Sequence, residues 1–114
     1  MALQTVVETP SYLSDAVRLL TEDERASVVD RVALDPHVGL VIPGSGGVRK
    51  IRVGFGGRGK RGGARVIYLF GGDDVPVFLL AAFAKNEKSD LTAVERMNLG
   101  KTVAKMLADY RRLQ

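Results

Sequence analysis

Lys50 and Arg52 stand two residues apart in the stretch VRKIRVGF, and Arg65 is the second residue of the stretch ARVIYLF. Residues two apart on a β-strand project from the same face. Lys50 and Arg52 therefore share one face, while Ile51 and Val53 point the other way, toward a core. A hairpin joining the two stretches brings Arg65 toward that pair, with the register left open. Such a cluster has a chemical use. A lysine among other cations is shifted toward general-base range, and fixed guanidinium groups stabilise the charge that develops on a phosphate during displacement. RNA carries its own nucleophile, the 2′-OH, so cleavage by this group calls for no metal and no cofactor. Charge alone also allows an ordinary solvated sheet face.

Other patterns carry less. Gly54 to Gly59 (GFGGRG) fits a dinucleotide-binding G-x-G-x-x-G, and GFGGRGKR comes close to a phosphate-binding P-loop. Both need a helix after the glycines to receive the phosphate. Here a β-type segment follows, and Arg61 stands where Ser or Thr would hold magnesium. Arg49, Arg58, Lys60 and Arg61 are further cations suited to phosphate contacts. Tyr68 and Phe83 are the aromatics that could stack on bases, although strand aromatics more often belong to the core. The single histidine, His37, has no second histidine to join it, and there is no cysteine, so a histidine or thiolate metal site is not expected.

The charge distribution supports a polyanion partner. The net charge is +4, but residues 1–35 hold three basic and seven acidic residues, while residues 36–72 hold seven basic residues and no Asp or Glu. Residues 73–114 are nearly balanced, with seven basic and six acidic. Concentrating the excess in one third of a 114-residue chain gives it a positive face. The start of the chain lacks the basic and apolar stretches of a secretory signal, and the longest apolar run, Val75 to Ala84, is far short of a membrane span. A cytoplasmic protein is expected, with no membrane partner.

The elements that must position the cluster follow from periodicity and punctuation. Leu3 to Glu8 reads as a short strand. Pro10 opens a helix carrying Tyr12, Ala16, Leu19 and Leu20 at helical spacing. Thr21 and Glu24 match a capping box for a second helix, which Asp35-Pro36 ends. Twelve of the thirteen glycines fall between Gly39 and Gly72. Within that span Val48 to Phe55 and Ala64 to Phe70 read as strands, joined by the flexible basic loop GGRGKRGG. Val75 to Ala84 is apolar on both faces, which predicts a central, most buried strand. Thr92 and Glu95 form a second capping box for a C-terminal helix, where Gly100 marks a kink or a close contact. The expectation is one α+β domain over residues 1–114, ordered β-α-α-β-β-β-α, with a mostly antiparallel four-stranded sheet.

VIPGSGGVRKIRV, GRGKRGGARVIYLF and LLAAFAKNEKSDLT together resemble the RelE/HigB-like toxins of type II toxin–antitoxin systems, over nearly the whole chain. The resemblance implies an mRNA endoribonuclease acting on translating ribosomes, restrained by a cognate antitoxin that commonly carries a helix-turn-helix. It places Lys50 and Arg52 at the basic residues of the family's second strand, one of them the general base. Arg65 falls at the arginine that contacts the scissile phosphate. Lys85, Asn86 and Lys88 fall in the basic stretch after the last strand. Some RelE toxins have an arginine where Asn86 stands and an aromatic residue near Thr92; neither is present, so Lys85 is the first candidate for the general acid. The products expected are 2′,3′-cyclic phosphate ends. The alternatives are a non-cleaving toxin on the same scaffold that inhibits gyrase, as ParE-type relatives do, or a plain RNA-binding domain. Retention of Lys50, Arg52 and Arg65 favours the nuclease.

Overall fold

Three threonines organise the helical parts of the chain. In the computed structural model, which describes residues 3–54, 63–85, 87 and 90–114, the Thr9 hydroxyl accepts the Tyr12 N–H and caps α1 (Pro10–Leu19). Thr21 and Glu24 form a reciprocal capping box at the head of α2 (Glu22–Leu34), and Thr92 with Glu95 does the same for α3 (Ala93–Arg112). Each satisfies N–H groups that a helix start otherwise leaves open.

The strands are β1 (Val6–Glu8), β2 (Leu40–Val41), β3 (Val48–Val53), β4 (Ala64–Leu69) and β5 (Val77–Ala84), and they form one sheet in the order β1-β5-β4-β3-β2. The α+β class and the three helices match the sequence reading, but the sheet differs from it. It has five strands and is mixed, because the two-residue β2 pairs with β3 and because β1 runs parallel to β5. Every residue of β4 is buried, whereas β5 has two partly exposed positions, so β4 is the most buried strand. The reason is its place: β4 is the middle strand of the five.

Alternation divides the core between the two faces of the sheet. Ile51, Val53, Ala64, Val66, Tyr68, Val77 and Leu79 face α1 and α2, where they meet Tyr12, Ala16, Val28 and Val32. Val48, Ile67, Leu69, Leu80 and Phe83 face α3 and meet Val103, Leu99, Met106 and Leu107. Burying these side chains is the main force holding the layers together. Gly100 answers the expectation of a close contact, since a Cβ there would lie 3.2 Å from the Gly44 carbonyl. β5 continues beyond the end of β1, and there carboxylates take the N–H groups a further strand would use. Ala82 N–H donates to Asp15 at 3.0 Å and Ala84 N–H to Glu87 at 3.2 Å. Among the described residues, no helix is long and apolar enough to cross a membrane.

Candidate active site

The pairing of β3 with β4 sets Arg52 opposite Arg65 and Lys50 opposite Ile67. Lys50, Arg52 and Arg65 thus lie on one face, the face shared with Val48, Ile67 and Leu69 and opposite α1 and α2. The structure brings together the three residues singled out for chemistry. Arg65 is only 9% exposed, and Arg52 is exposed. The three share a cavity of about 540 Å³ with Lys85, Arg31, Val38, Leu40 and Ile51. Five of these eight lining residues are cationic, so the cavity is electropositive.

Backbone geometry holds the cluster in place. Lys85, just past the end of β5, donates its N–H to the Gly63 carbonyl at 3.1 Å, which ties it to the start of β4. Gly63 has φ +55°, and a Cβ there would collide with the Val53 carbonyl. Only glycine passes this point without strain. Arg31 reaches over from α2 and donates to the Arg52 carbonyl at 3.0 Å, on the edge of β3 that β2 does not cover.

Two expected RNA contacts, Tyr68 and Arg49, lie on the other face of the sheet from Lys50, Arg52 and Arg65. Tyr68 is fully buried on the α1/α2 face; its hydroxyl donates to the Pro36 carbonyl at 2.7 Å and accepts the Gly39 N–H at 2.9 Å. Burial raises its pKa, and no base can reach its ring. Arg49 neighbours Lys50 in sequence, so it projects from the opposite face. Its guanidinium donates to the Gly39 carbonyl at 2.8 Å and the His37 carbonyl at 3.2 Å, bracing the segment that leads into β2. Phe83 is paired with Arg65 across β4 and β5 but is 6% exposed, within the cluster under α3. Arg58, Lys60, Arg61, Asn86 and Lys88 lie outside the described residues.

The structure also adds residues that the sequence reading did not single out. Arg31 belongs to the acidic third of the chain, and Val38 and Leu40, 40% and 72% exposed, form an apolar border to the cations. Asp90 is the fourth addition. Its Oδ2 accepts from Lys50 Nζ at 2.8 Å and its Oδ1 from the Leu91 N–H at 2.8 Å. The Lys50 hydrogen bond, then the Leu91 N–H, hold the Asp90 carboxyl below its ordinary range. A long-range pair between β3 and the residue two before a helix cap leaves no periodic trace in a sequence.

A family model described as the RelE toxin of the RelE/RelB toxin–antitoxin system matches residues 41–114. The match covers β3, β4, β5 and α3, and with them Lys50, Arg52, Arg65, Lys85 and Asp90. The chain belongs to the RelE toxin family, and membership implies an antitoxin partner.

Proposed function

We propose that this RelE-family toxin is an mRNA endoribonuclease that acts on translating ribosomes without a metal ion in the chemical step. The observation that carries the reading is the convergence of Lys50, Arg52 and Arg65 on one sheet face, with Arg52 and Arg65 in register and Lys85 lining the same cavity. Arg65 and Arg52 hold the scissile phosphate and stabilise its pentacoordinate charge, which fixed guanidinium groups do well. The 2′-OH attacks phosphorus, and in this reading Lys85 protonates the departing 5′ oxygen. Cleavage leaves a 2′,3′-cyclic phosphate. Arg58, Lys60 and Arg61 serve as phosphate contacts along the strand.

The antitoxin, by this reading, covers the basic face with an acidic segment or holds α3 away from its working position. Charge steering then makes association fast and salt-sensitive. A helix-turn-helix in the antitoxin suits the family pattern.

Inducible expression without antitoxin, followed by mapping of mRNA 5′ ends, tests the function. New ends within coding regions are expected for the wild type and not for Arg65→Ala. Growth arrest with no new ends would replace this reading with the non-cleaving, gyrase-type one.

A further inference from the structure

The expectation that Lys50 removes the 2′-OH proton treats it as a lysine surrounded by cations alone. The structure gives it a carboxylate instead, with Asp90 Oδ2 2.8 Å from Nζ. We infer that Asp90 is a further catalytic residue of this site, the general base that takes the 2′-OH proton, with Lys50 as the fixed ammonium beside it. The assignment rests on the ribonuclease reading above.

Asp90 meets the requirements of a base. Like any carboxylate with an acidic pKa it is ionised at neutral pH, and the 2.8 Å contact fixes it beside Lys50 Nζ. The contact pairs a carboxylate oxygen, a proton acceptor, with the Lys50 side-chain nitrogen, so the pair as built offers its base in Asp90 and its cation in Lys50. The carboxylate is also fixed: Oδ1 takes the Leu91 N–H at 2.8 Å, directly before the capped start of α3. Substrate can reach it, since the Asp90 side chain is 46% exposed and that of Lys50 is 27% exposed.

Asp90 is joined to the cationic cavity through Lys50. Lys50 and Arg52 come from β3, Arg65 from β4 and Lys85 from just past the end of β5. From α3, the charge of Arg96 also acts on Asp90. In the step, Asp90 Oδ2 accepts the 2′-OH proton as the 2′ oxygen bonds to phosphorus. The bond from phosphorus to the 5′ oxygen breaks, and that oxygen takes a proton from the Lys85 ammonium. Atoms and charge balance with no further reactant.

Single-turnover cleavage of mRNA on programmed ribosomes, measured across pH for the purified full chain, tests the assignment. Asp90→Asn keeps an oxygen for the Leu91 N–H but cannot act as a base. It should slow cleavage by about 10²–10⁴-fold, the usual range for losing acid–base catalysis, with RNA affinity equal to or tighter than wild type. Asp90→Glu should recover part of the rate. The wild-type rate should be level near neutral pH and, on the acid side, fall as the carboxylate protonates. Lys50→Arg, a cation that holds its proton, should cleave faster than Asp90→Asn.

Two results would overturn the assignment. One is Asp90→Asn cleaving within about threefold of wild type, well short of a lost general base. The other is a wild-type rate that climbs through alkaline pH with Lys50→Arg as inactive as Asp90→Asn, which makes Lys50 the base. A wild type that cuts no RNA removes the ribonuclease reading and this assignment with it. A cutting wild type with an active Asp90→Asn removes this assignment alone.

Discussion

Arg52 and Arg65 are directly opposed across the β3–β4 pair. Like charges in cross-strand register weaken a sheet, and Arg65 is 9% exposed. In the proposed reaction the pair holds a phosphate between its two guanidinium groups. Relieving the repulsion with Arg52→Gln should raise stability by about 0.2–1 kcal/mol, read as a higher urea midpoint, while RNA affinity falls. A lower midpoint would show that the repulsion is already offset within the fold.

The Tyr68 hydroxyl makes two hydrogen bonds in the interior, to Pro36 and Gly39. Tyr68→Phe leaves a carbonyl and a buried N–H without that partner. A loss of about 1–3 kcal/mol is expected, the cost of orphaning buried polar groups, with RNA affinity of the folded protein unchanged. Denaturant unfolding alongside RNA titration separates the two. Weaker RNA binding at full stability would return Tyr68 to the substrate surface.

Much of this arrangement was legible from local chemistry. The Thr21–Glu24 and Thr92–Glu95 capping boxes announced two helices, and alternation through VRKIRV put Lys50 and Arg52 on one face. Parity also held information that the stacking and phosphate readings passed over. Tyr68 is three residues from Arg65 and Arg49 is one from Lys50, so neither can share the basic face of a regular strand. What lay beyond local chemistry was non-local. β1 joins β5 across some seventy residues of chain, as the Val6–Val77 pair shows. β2 is two exposed residues with no alternation to read. The Arg52–Arg65 register is a cross-strand pairing, and Arg31 and Asp90 arrive through tertiary packing.

Gly63 is a sharp test of how β4 is delivered to the site. Its φ of +55° lies in the left-handed region, and an added Cβ meets the Val53 carbonyl. Gly63→Ala should destabilise by at least about 1–2 kcal/mol from backbone conformation alone, with further loss from the clash. A neutral effect on thermal unfolding would mean that the β3–β4 connection adapts freely.

The pH dependence of stability follows from the paired carboxylates. Asp74 is held low by its hydrogen bond with Arg111, Glu87 by the Ala84 N–H and then Arg18, and Asp90 by Lys50 and then Leu91. A depressed folded pKa adds stability that is present above the unfolded value, near 4 for these groups, and is lost as pH falls through the folded value. At the alkaline end, burial pushes Tyr12 from 10.0 up to about 12. That contribution is full below 10.0 and lost as pH rises through about 12. Urea midpoints should therefore hold through neutral pH, drop below about 4, and drop again above 10.0. Asp74→Asn should flatten the acid limb; an acid limb that rises instead would contradict the ion-pair geometry.

Arg65→Ala tests the central claim most directly, with single-turnover cleavage rate and RNA affinity measured on the same mRNA, on programmed ribosomes. A guanidinium that stabilises the transition state should cost about 10²–10³-fold in rate when removed, with affinity reduced far less. Products of the wild-type reaction should end in 2′,3′-cyclic phosphate. Cleavage by Arg65→Ala at the wild-type rate would contradict the account.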